Sequence, residues 1–183
     1  MKNFVMMLTF FRILSGPLIF LFSVIFELYM LAFYIFIFSA LTDFLDGHLA
    51  RKHKVESLIG KVLDPIADKV FILFTFFSII FLVQDIYVGA MFACILSREF
   101  IVSGLREFAA SNNQSQLTQV TYLAKIKTSI QFLSLGMFLF GIMTGNSMII
   151  FLAKFMLFLA LLITFQTAIN YYQNIFSQNK SLK

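Results

Sequence analysis

Apolar residues occur along the chain in six long runs, which short polar segments separate. These runs cover residues 13–26, 28–41, 70–83, 86–96, 128–143 and 147–172. A helix that crosses a bilayer needs roughly 20 residues, and several runs are shorter than this. Charged extensions supply the missing length at residues 43–52, 60–69, 98–107 and 125–127. The pattern predicts an all-α integral membrane protein with six transmembrane helices.

The basic residues are unevenly distributed along this predicted topology. If successive helices alternate in direction, all four charged extensions reach one membrane face. The turns at residues 27, 84–85 and 145–146 then reach the other face and contain no Lys or Arg. Thirteen of the 14 basic residues lie on the charged side, with Lys154 as the exception. Because basic loops are retained in the cytoplasm, that face and both termini are predicted to be cytoplasmic in a multi-pass protein of the inner membrane.

The N-terminal stretch, residues 1–12, is expected to form an interfacial helix before the first span, because an arginine such as Arg12 is costly at mid-bilayer. A cleaved signal peptide is not indicated, since Arg12 and Pro17 interrupt the apolar run and no small-residue cleavage site follows. Residues 111–119 form the one sizeable polar loop, which is predicted to be cytoplasmic. The whole chain, residues 1–183, is therefore expected to be a single membrane domain.

Composition supports immersion in a membrane and argues against other classes of protein. Of the 183 residues, 60% are hydrophobic and only 13% charged, too few for the polar shell of a soluble domain. The net charge of +5 comes from residues beside apolar helix ends, which favours anionic lipid headgroups over nucleic acid as partners. Cys94 is the sole cysteine and lies in an apolar run, so a disulfide framework is excluded and packing is its expected role.

Four aspartates in two of the charged extensions carry the candidate chemistry. Asp43 and Asp46 are three residues apart and share one face of a helix. Gly60, Asp64 and Asp68 follow at intervals of four and form one stripe on the next helix. Such carboxylates are the ligands that hard divalent cations prefer, and a bound cation offsets the cost of placing four anions near a membrane. The alternative is that the aspartates cap helices or pair with neighbouring basic residues.

The spacing of eight residues resembles the signature of the CDP-alcohol phosphotransferase family. These residues are Asp43, Asp46, Gly47, Ala50, Arg51, Gly60, Asp64 and Asp68. Residues 98–106, residues 125–128 and Gln131 are similar to members of the family that use sn-glycerol 3-phosphate as acceptor. One departure precedes Thr9 and Arg12, where Val5-Met6 replaces the Pro-Asn that is frequent in the family.

The resemblance implies a six-helix membrane domain, commonly a homodimer, with a polar cavity open to the cytoplasm. It also implies a reaction in which an alcohol attacks the β-phosphorus of CDP-diacylglycerol and expels CMP. Mg²⁺ or Mn²⁺, as two ions, would be held by Asp43, Asp46, Asp64 and Asp68, and Asp68 would also act as general base. The CDP-lipid would lie against Gly47, Ala50, Arg51 and Gly60, where small side chains and glycine let a bulky ligand approach the backbone.

The phosphate of sn-glycerol 3-phosphate needs cationic partners, and four basic residues of the fourth and fifth spans are candidates: Arg98, Arg106, Lys125 and Lys127. Arg98 directly follows a charge-free run and is expected to lie deepest. The alternative is that these residues only set the topology. Two other functions stay open: an enzyme of the same family with inositol phosphate, serine or phosphatidylglycerol as acceptor, and a divalent-cation transporter.

Overall fold

The protein was analysed as a computed structural model, which describes residues 2–53, 58–111 and 122–181. Side chains are described for residues 6–42, 63–108, 111, 123 and 125–169. The helices are α1 (Lys2–Phe20, continued by a π-helical turn at Leu21–Ile25), α2 (Tyr29–His53), α3 (Leu58–Val83), α4 (Ile86–Ser111), α5 (Tyr122–Thr144) and α6 (Ser147–Ser181). No strand occurs in the described ranges, which confirms the all-α prediction. The predicted loop at residues 111–119 lies outside them after Ser111.

Among the described residues, five helical segments are long and apolar enough to cross a membrane. They are Met6–Ile25, Leu63–Val83, Ile86–Phe108, Lys125–Thr144 and Ser147–Ile169. The described apolar part of α2, Tyr29–Thr42, is shorter, and the remainder of α2 is the charged extension that begins at Asp43. Large apolar side chains are exposed on every one of these segments, as expected for surfaces that face lipid. The chain is thus a membrane protein with six described α-helices.

Residues 2–12 are helical and continue without a break into the first candidate span. The described part of that span, Met6–Ile25, includes Arg12. The Arg12 guanidinium lies 3.1 Å from a carboxylate oxygen of Asp68, and this ion pair offsets the cost of burying the charge. The position of residues 1–12 at a membrane surface stays a prediction.

The three predicted turns are confirmed, and each contains a residue with a positive φ angle. Glu27 has φ 56°, Gln84 has φ 50° and Gly145 has φ 65°. Left-handed backbone at these positions ends one helix and redirects the chain into the next within two or three residues. Only Gly145 adopts this conformation without a Cβ penalty.

Side-chain caps begin two of the helices that follow these turns. Asp85 accepts a hydrogen bond from the backbone N–H of Tyr87 at 2.8 Å, and Asn146 accepts one from that of Met148 at 3.0 Å. Lys154 donates to the other carboxylate oxygen of Asp85 at 2.6 Å. This hydrogen bond is the main reason why the pKa of Asp85 lies below its ordinary value. Lys154, the exception in the predicted charge distribution, therefore has a carboxylate partner at a turn.

The chain divides into two compact units, and the first consists of Met1–Gln84 with Leu135–Ile150. In this unit α1 packs very closely against α3. A methyl group added at Gly16 would lie 3.0 Å from the Cα of Phe71 and 3.1 Å from the carbonyl oxygen of Val70. The ring of Phe71 also stacks on that of Phe36 in α2, with centroids 5.5 Å apart. Glycine at position 16 is therefore what permits the short distance between α1 and α3.

Replacing Gly16 by Val is expected to destabilise the protein by about 1–3 kcal/mol, because overpacking at a backbone contact forces the helices apart. Gly89→Val is the matched control, since nothing lies within 4 Å of a Cβ added at that helical glycine. Thermal unfolding of both variants in the same detergent measures the difference. Equal unfolding midpoints for the two variants would contradict the close packing at Gly16.

The second unit consists of Asp85–Ser134 and Phe151–Lys183, and its described helices are α4 and the larger parts of α5 and α6. Ser134 of α5 donates a hydrogen bond to the carbonyl oxygen of Ala153 in α6 at 2.9 Å. The fully buried apolar side chains described in this second unit are Val88, Phe92, Ile95, Ala153, Leu157 and Ala160. They recur every three or four residues, so α4 and α6 each have one buried face.

Candidate functional site

The first part of the aspartate signature lies in the C-terminal half of α2. The backbone is helical at Asp43, Asp46, Gly47, Ala50 and Arg51, as the spacing predicted. The backbone of Gly60 is helical as well, near the start of α3. The side chains of residues 43–62 are outside the described set, so the expected contacts of these signature residues stay predictions.

The second part of the signature, Asp64 and Asp68, lies on successive turns of α3 and receives hydrogen bonds from α1. The Thr9 hydroxyl donates to Oδ1 of Asp64 at 2.8 Å. The Arg12 guanidinium donates through Nη1 to Oδ1 of Asp68 at 3.1 Å. Both donors are almost completely buried, whereas 42% of the Asp68 side chain is exposed. Two donors three residues apart on α1 therefore each bind one of two carboxylates that are four residues apart on α3.

This pair of carboxylates fits a hard divalent cation by the chemistry of its donors. Asp64 and Asp68 present carboxylate oxygens on one face of α3, and both side chains are partly accessible. The hydrogen bonds from Thr9 and Arg12 are accepted by Oδ1 of each group. Among the described side chains no group of three His, Cys, Asp or Glu residues comes together. A complete ligand set thus requires further groups, and Asp43 and Asp46 are the predicted ones.

A cluster of charged side chains lies in the second unit, where α4 and α5 contribute the charges and α6 contributes a hydroxyl. Only 8% of the Arg98 side chain and 5% of the Lys127 side chain are exposed. Both donate to the same oxygen, Oε1 of Glu99, and the distance from Arg98 Nη1 is 3.4 Å. Arg98 also donates through Nη2 to the hydroxyl of Thr167 in α6 at 2.6 Å. One carboxylate therefore lies between two buried cations.

The four basic residues that the sequence predicted to bind the acceptor phosphate differ in burial. Arg98 and Lys127 are buried, Arg106 is partly buried, and Lys125 is exposed. Arg106 is close enough to Lys127 for their charges to interact. The structure thus brings together Arg98, Lys127 and Arg106, whereas Lys125, two residues before Lys127, is on a more accessible face of α5.

A model of the CDP-alcohol phosphatidyltransferase family matches residues 2–166 of the chain. The chain belongs to this family. Membership confirms the resemblance drawn from the eight signature residues. The names of related proteins are therefore relevant to the substrate of this chain.

Several bacterial relatives are named CDP-diacylglycerol–glycerol-3-phosphate 3-phosphatidyltransferase. The protein of Rickettsia typhi is 36% identical over 178 residues, which cover 94% of this chain and 97% of the relative. The protein of Rickettsia felis is 36% identical over 187 residues, which cover 94% of both chains. That of Haemophilus influenzae is 34% identical over 139 residues, covering 76% of this chain and 74% of its own. Similarity to the two Rickettsia proteins extends over nearly the full length.

In this CDP-alcohol phosphatidyltransferase, sequence reasoning missed the contacts from α1 to the α3 aspartates and the contact between Arg98 and Thr167. A signal for the former was present: Thr9 and Arg12 are polar residues three apart within a largely apolar part of α1. Such residues need buried partners, and aspartates are natural ones. No comparable signal marked Thr167, since threonines that bond to their own helix are common in apolar segments.

Proposed function

We propose that this CDP-alcohol phosphatidyltransferase transfers the phosphatidyl group of CDP-diacylglycerol to sn-glycerol 3-phosphate, giving phosphatidylglycerophosphate and CMP. The relatives named above carry out this transfer according to their names. The observation that carries the choice of acceptor is the buried cation pair Arg98 and Lys127. Buried cations bind a phosphorylated acceptor by charge-assisted hydrogen bonds, which a neutral alcohol such as inositol cannot match.

The four aspartates Asp43, Asp46, Asp64 and Asp68 would hold Mg²⁺ or Mn²⁺, as two ions. When bound, the cations neutralise charge on the pyrophosphate and make the acceptor hydroxyl easier to deprotonate. Thr9 and Arg12 hold Asp64 and Asp68 in place from α1. Ligands that are held by hydrogen bonds lose less conformational freedom on binding a cation.

The chemical step proposed here is a direct displacement at phosphorus. The acceptor hydroxyl oxygen forms a bond to the β-phosphorus, and the bond from that phosphorus to the bridging oxygen breaks, so that CMP leaves. The hydroxyl proton passes to Asp68, which we assign as the general base. Arg12 binds one oxygen of the Asp68 carboxylate and so fixes the orientation of this carboxylate for the proton transfer.

Each substrate has its own set of residues in this proposal. Gly47, Ala50, Arg51 and Gly60 would lie against the CDP-lipid. The glycines and Ala50 would permit close approach to the backbone, and Arg51 would pair with phosphate. The acceptor phosphate would be bound by Arg98, Arg106, Lys125 and Lys127. We assign the active site and both termini to the cytoplasmic side of the inner membrane from the distribution of basic residues, and a homodimer from family resemblance.

An acceptor panel tests the proposed reaction. Purified protein with labelled CDP-diacylglycerol and Mg²⁺ is expected to form a new lipid with sn-glycerol 3-phosphate, and to release CMP in equal amount. Serine, inositol, inositol phosphate and phosphatidylglycerol are the comparison acceptors, and thin-layer chromatography identifies the lipid. If a lipid forms with inositol phosphate instead, the proposed acceptor is wrong but the proposed type of reaction stands. Metal uptake into vesicles without CMP release would favour a transporter.

A further inference from the structure

The buried hydrogen bond between α4 and α6 links Arg98 to a residue 69 positions away. Nη2 of Arg98 donates to Oγ1 of Thr167 at 2.6 Å. Thr167 is 1% exposed and Arg98 is 7% exposed, so water competes little for this contact. A hydrogen bond to a charged group in a dry environment is stronger and more directional than one at the surface.

The Thr167 hydroxyl is arranged to accept this bond. Its single hydrogen is directed at its own helix, since Oγ1 donates to the carbonyl oxygens of Ile163 at 2.9 Å and Thr164 at 3.0 Å. The oxygen lone pairs therefore remain for the guanidinium of Arg98. The α6 backbone fixes the hydroxyl, and the hydroxyl in turn fixes the arginine.

Glu99, which also contacts the guanidinium, is less suited to orient it. Nη1 of Arg98 lies 3.4 Å from Glu99 Oε1, near the upper limit for a hydrogen bond. That oxygen also accepts from Lys127, and 29% of the Glu99 side chain is exposed. Glu99 supplies charge compensation to two cations, whereas Thr167 supplies a short and directional contact to one.

We propose that Thr167 is a positioning residue for the acceptor phosphate, acting by holding the Arg98 guanidinium in one orientation. The inference rests on the proposed role of Arg98 in binding that phosphate. A free arginine side chain loses considerable rotamer entropy when its planar group meets a phosphate, and a guanidinium that is already held loses less. Thr167 therefore strengthens acceptor binding without touching the acceptor.

Three substitutions in α6 separate this role from ordinary packing. Thr167→Val removes the acceptor oxygen but keeps the shape, and Thr167→Ser keeps the oxygen. Thr164→Val is the matched control, because Thr164 is fully buried one turn earlier and its hydroxyl donates to the carbonyl oxygen of Ala160. Thr167→Val is expected to raise the KM for glycerol 3-phosphate about three- to tenfold, whereas Thr167→Ser and Thr164→Val are expected to stay within about twofold of wild type.

The KM for CDP-diacylglycerol and the unfolding midpoint in detergent are measured for every variant. The lipid KM is expected to remain unchanged, because the hydroxyl acts only on the acceptor side. If Thr167→Val does not fold, Thr167→Ala removes the same oxygen with less steric demand, and the same split between the two KM values is expected. Equal increases in both KM values, or equal behaviour of Thr164→Val, would overturn the positioning role.

A double-mutant cycle with Arg98→Gln tests whether Thr167 acts through Arg98. With Arg98 already removed, Thr167→Val is expected to have no further effect on the acceptor KM. The same relative increase in both backgrounds would overturn the inference. If Arg98→Gln raises the acceptor KM while Thr167→Val does not, only the positioning role fails. If Arg98→Gln itself changes nothing, the proposed phosphate site fails and this inference with it.

Discussion

Replacing any one of the four aspartates Asp43, Asp46, Asp64 and Asp68 by Asn is expected to lower turnover by more than about a hundredfold. Asparagine keeps the size and much of the hydrogen-bonding capacity of aspartate but loses the negative charge that a divalent cation requires. In a correctly folded variant, the loss therefore reports charge rather than packing. CMP release from labelled CDP-diacylglycerol measures it.

Asp85→Asn is the matched control for the aspartate series. Asp85 caps α4 and pairs with Lys154 in a turn, outside the signature, so this variant is expected to keep wild-type turnover. Binding of Mn²⁺, followed by electron paramagnetic resonance, provides a readout that does not depend on activity. We expect weaker binding in Asp64→Asn than in Asp85→Asn. Full turnover of the wild-type protein in excess EDTA would contradict the assignment of metal ligands.

The second large effect is expected at Arg98. Its replacement by Gln should raise the KM for glycerol 3-phosphate about ten- to hundredfold, since a charge-assisted hydrogen bond contributes roughly 1.5–3 kcal/mol and 1.4 kcal/mol is a factor of ten. The KM for CDP-diacylglycerol should change far less. Arg98→Lys is expected to recover part of the affinity, because the charge remains while the planar, forked guanidinium is lost.

Lys154→Gln serves as the control for Arg98→Gln, because Lys154 is also a partly buried base in an apolar helix but pairs with Asp85 at a turn. Its kinetic constants are expected to match those of the wild-type protein. A change in kcat alone at Arg98 would indicate stabilisation of the transition state rather than binding of the acceptor. If neither KM nor kcat responds to Arg98→Gln, the case for a phosphorylated acceptor loses its main physical support.

The hydrophobic pattern was sufficient to predict the helices and their turns. A bilayer tolerates few unpaired polar groups, so apolar length and interrupting polar residues mark the spans directly. The turns at Glu27, Gln84 and Gly145 were predicted for this reason and are present. The pairing of Arg12 was less predictable, because the hydrophobic pattern does not show that Asp68 is its partner.

What the sequence determined by itself is local: the helices, the turns and the spacing of the aspartates. Helical periodicity relates residues three and four apart through the backbone alone, so Asp64 and Asp68 are placed on one face by their positions in the chain. The same regular spacing made family membership recognisable before any contact was known.

Only the tertiary structure decided which residue of another helix contacts each functional side chain. Thr9 meets Asp64 and Arg12 meets Asp68 across 55 and 56 positions, and Arg98 meets Thr167 across 69. No periodicity relates such distant residues, because the rotation and separation of packed helices depend on the fit of whole surfaces. The α1–α3 contact depends on the absence of a side chain at Gly16, which the sequence showed only as one glycine among eight.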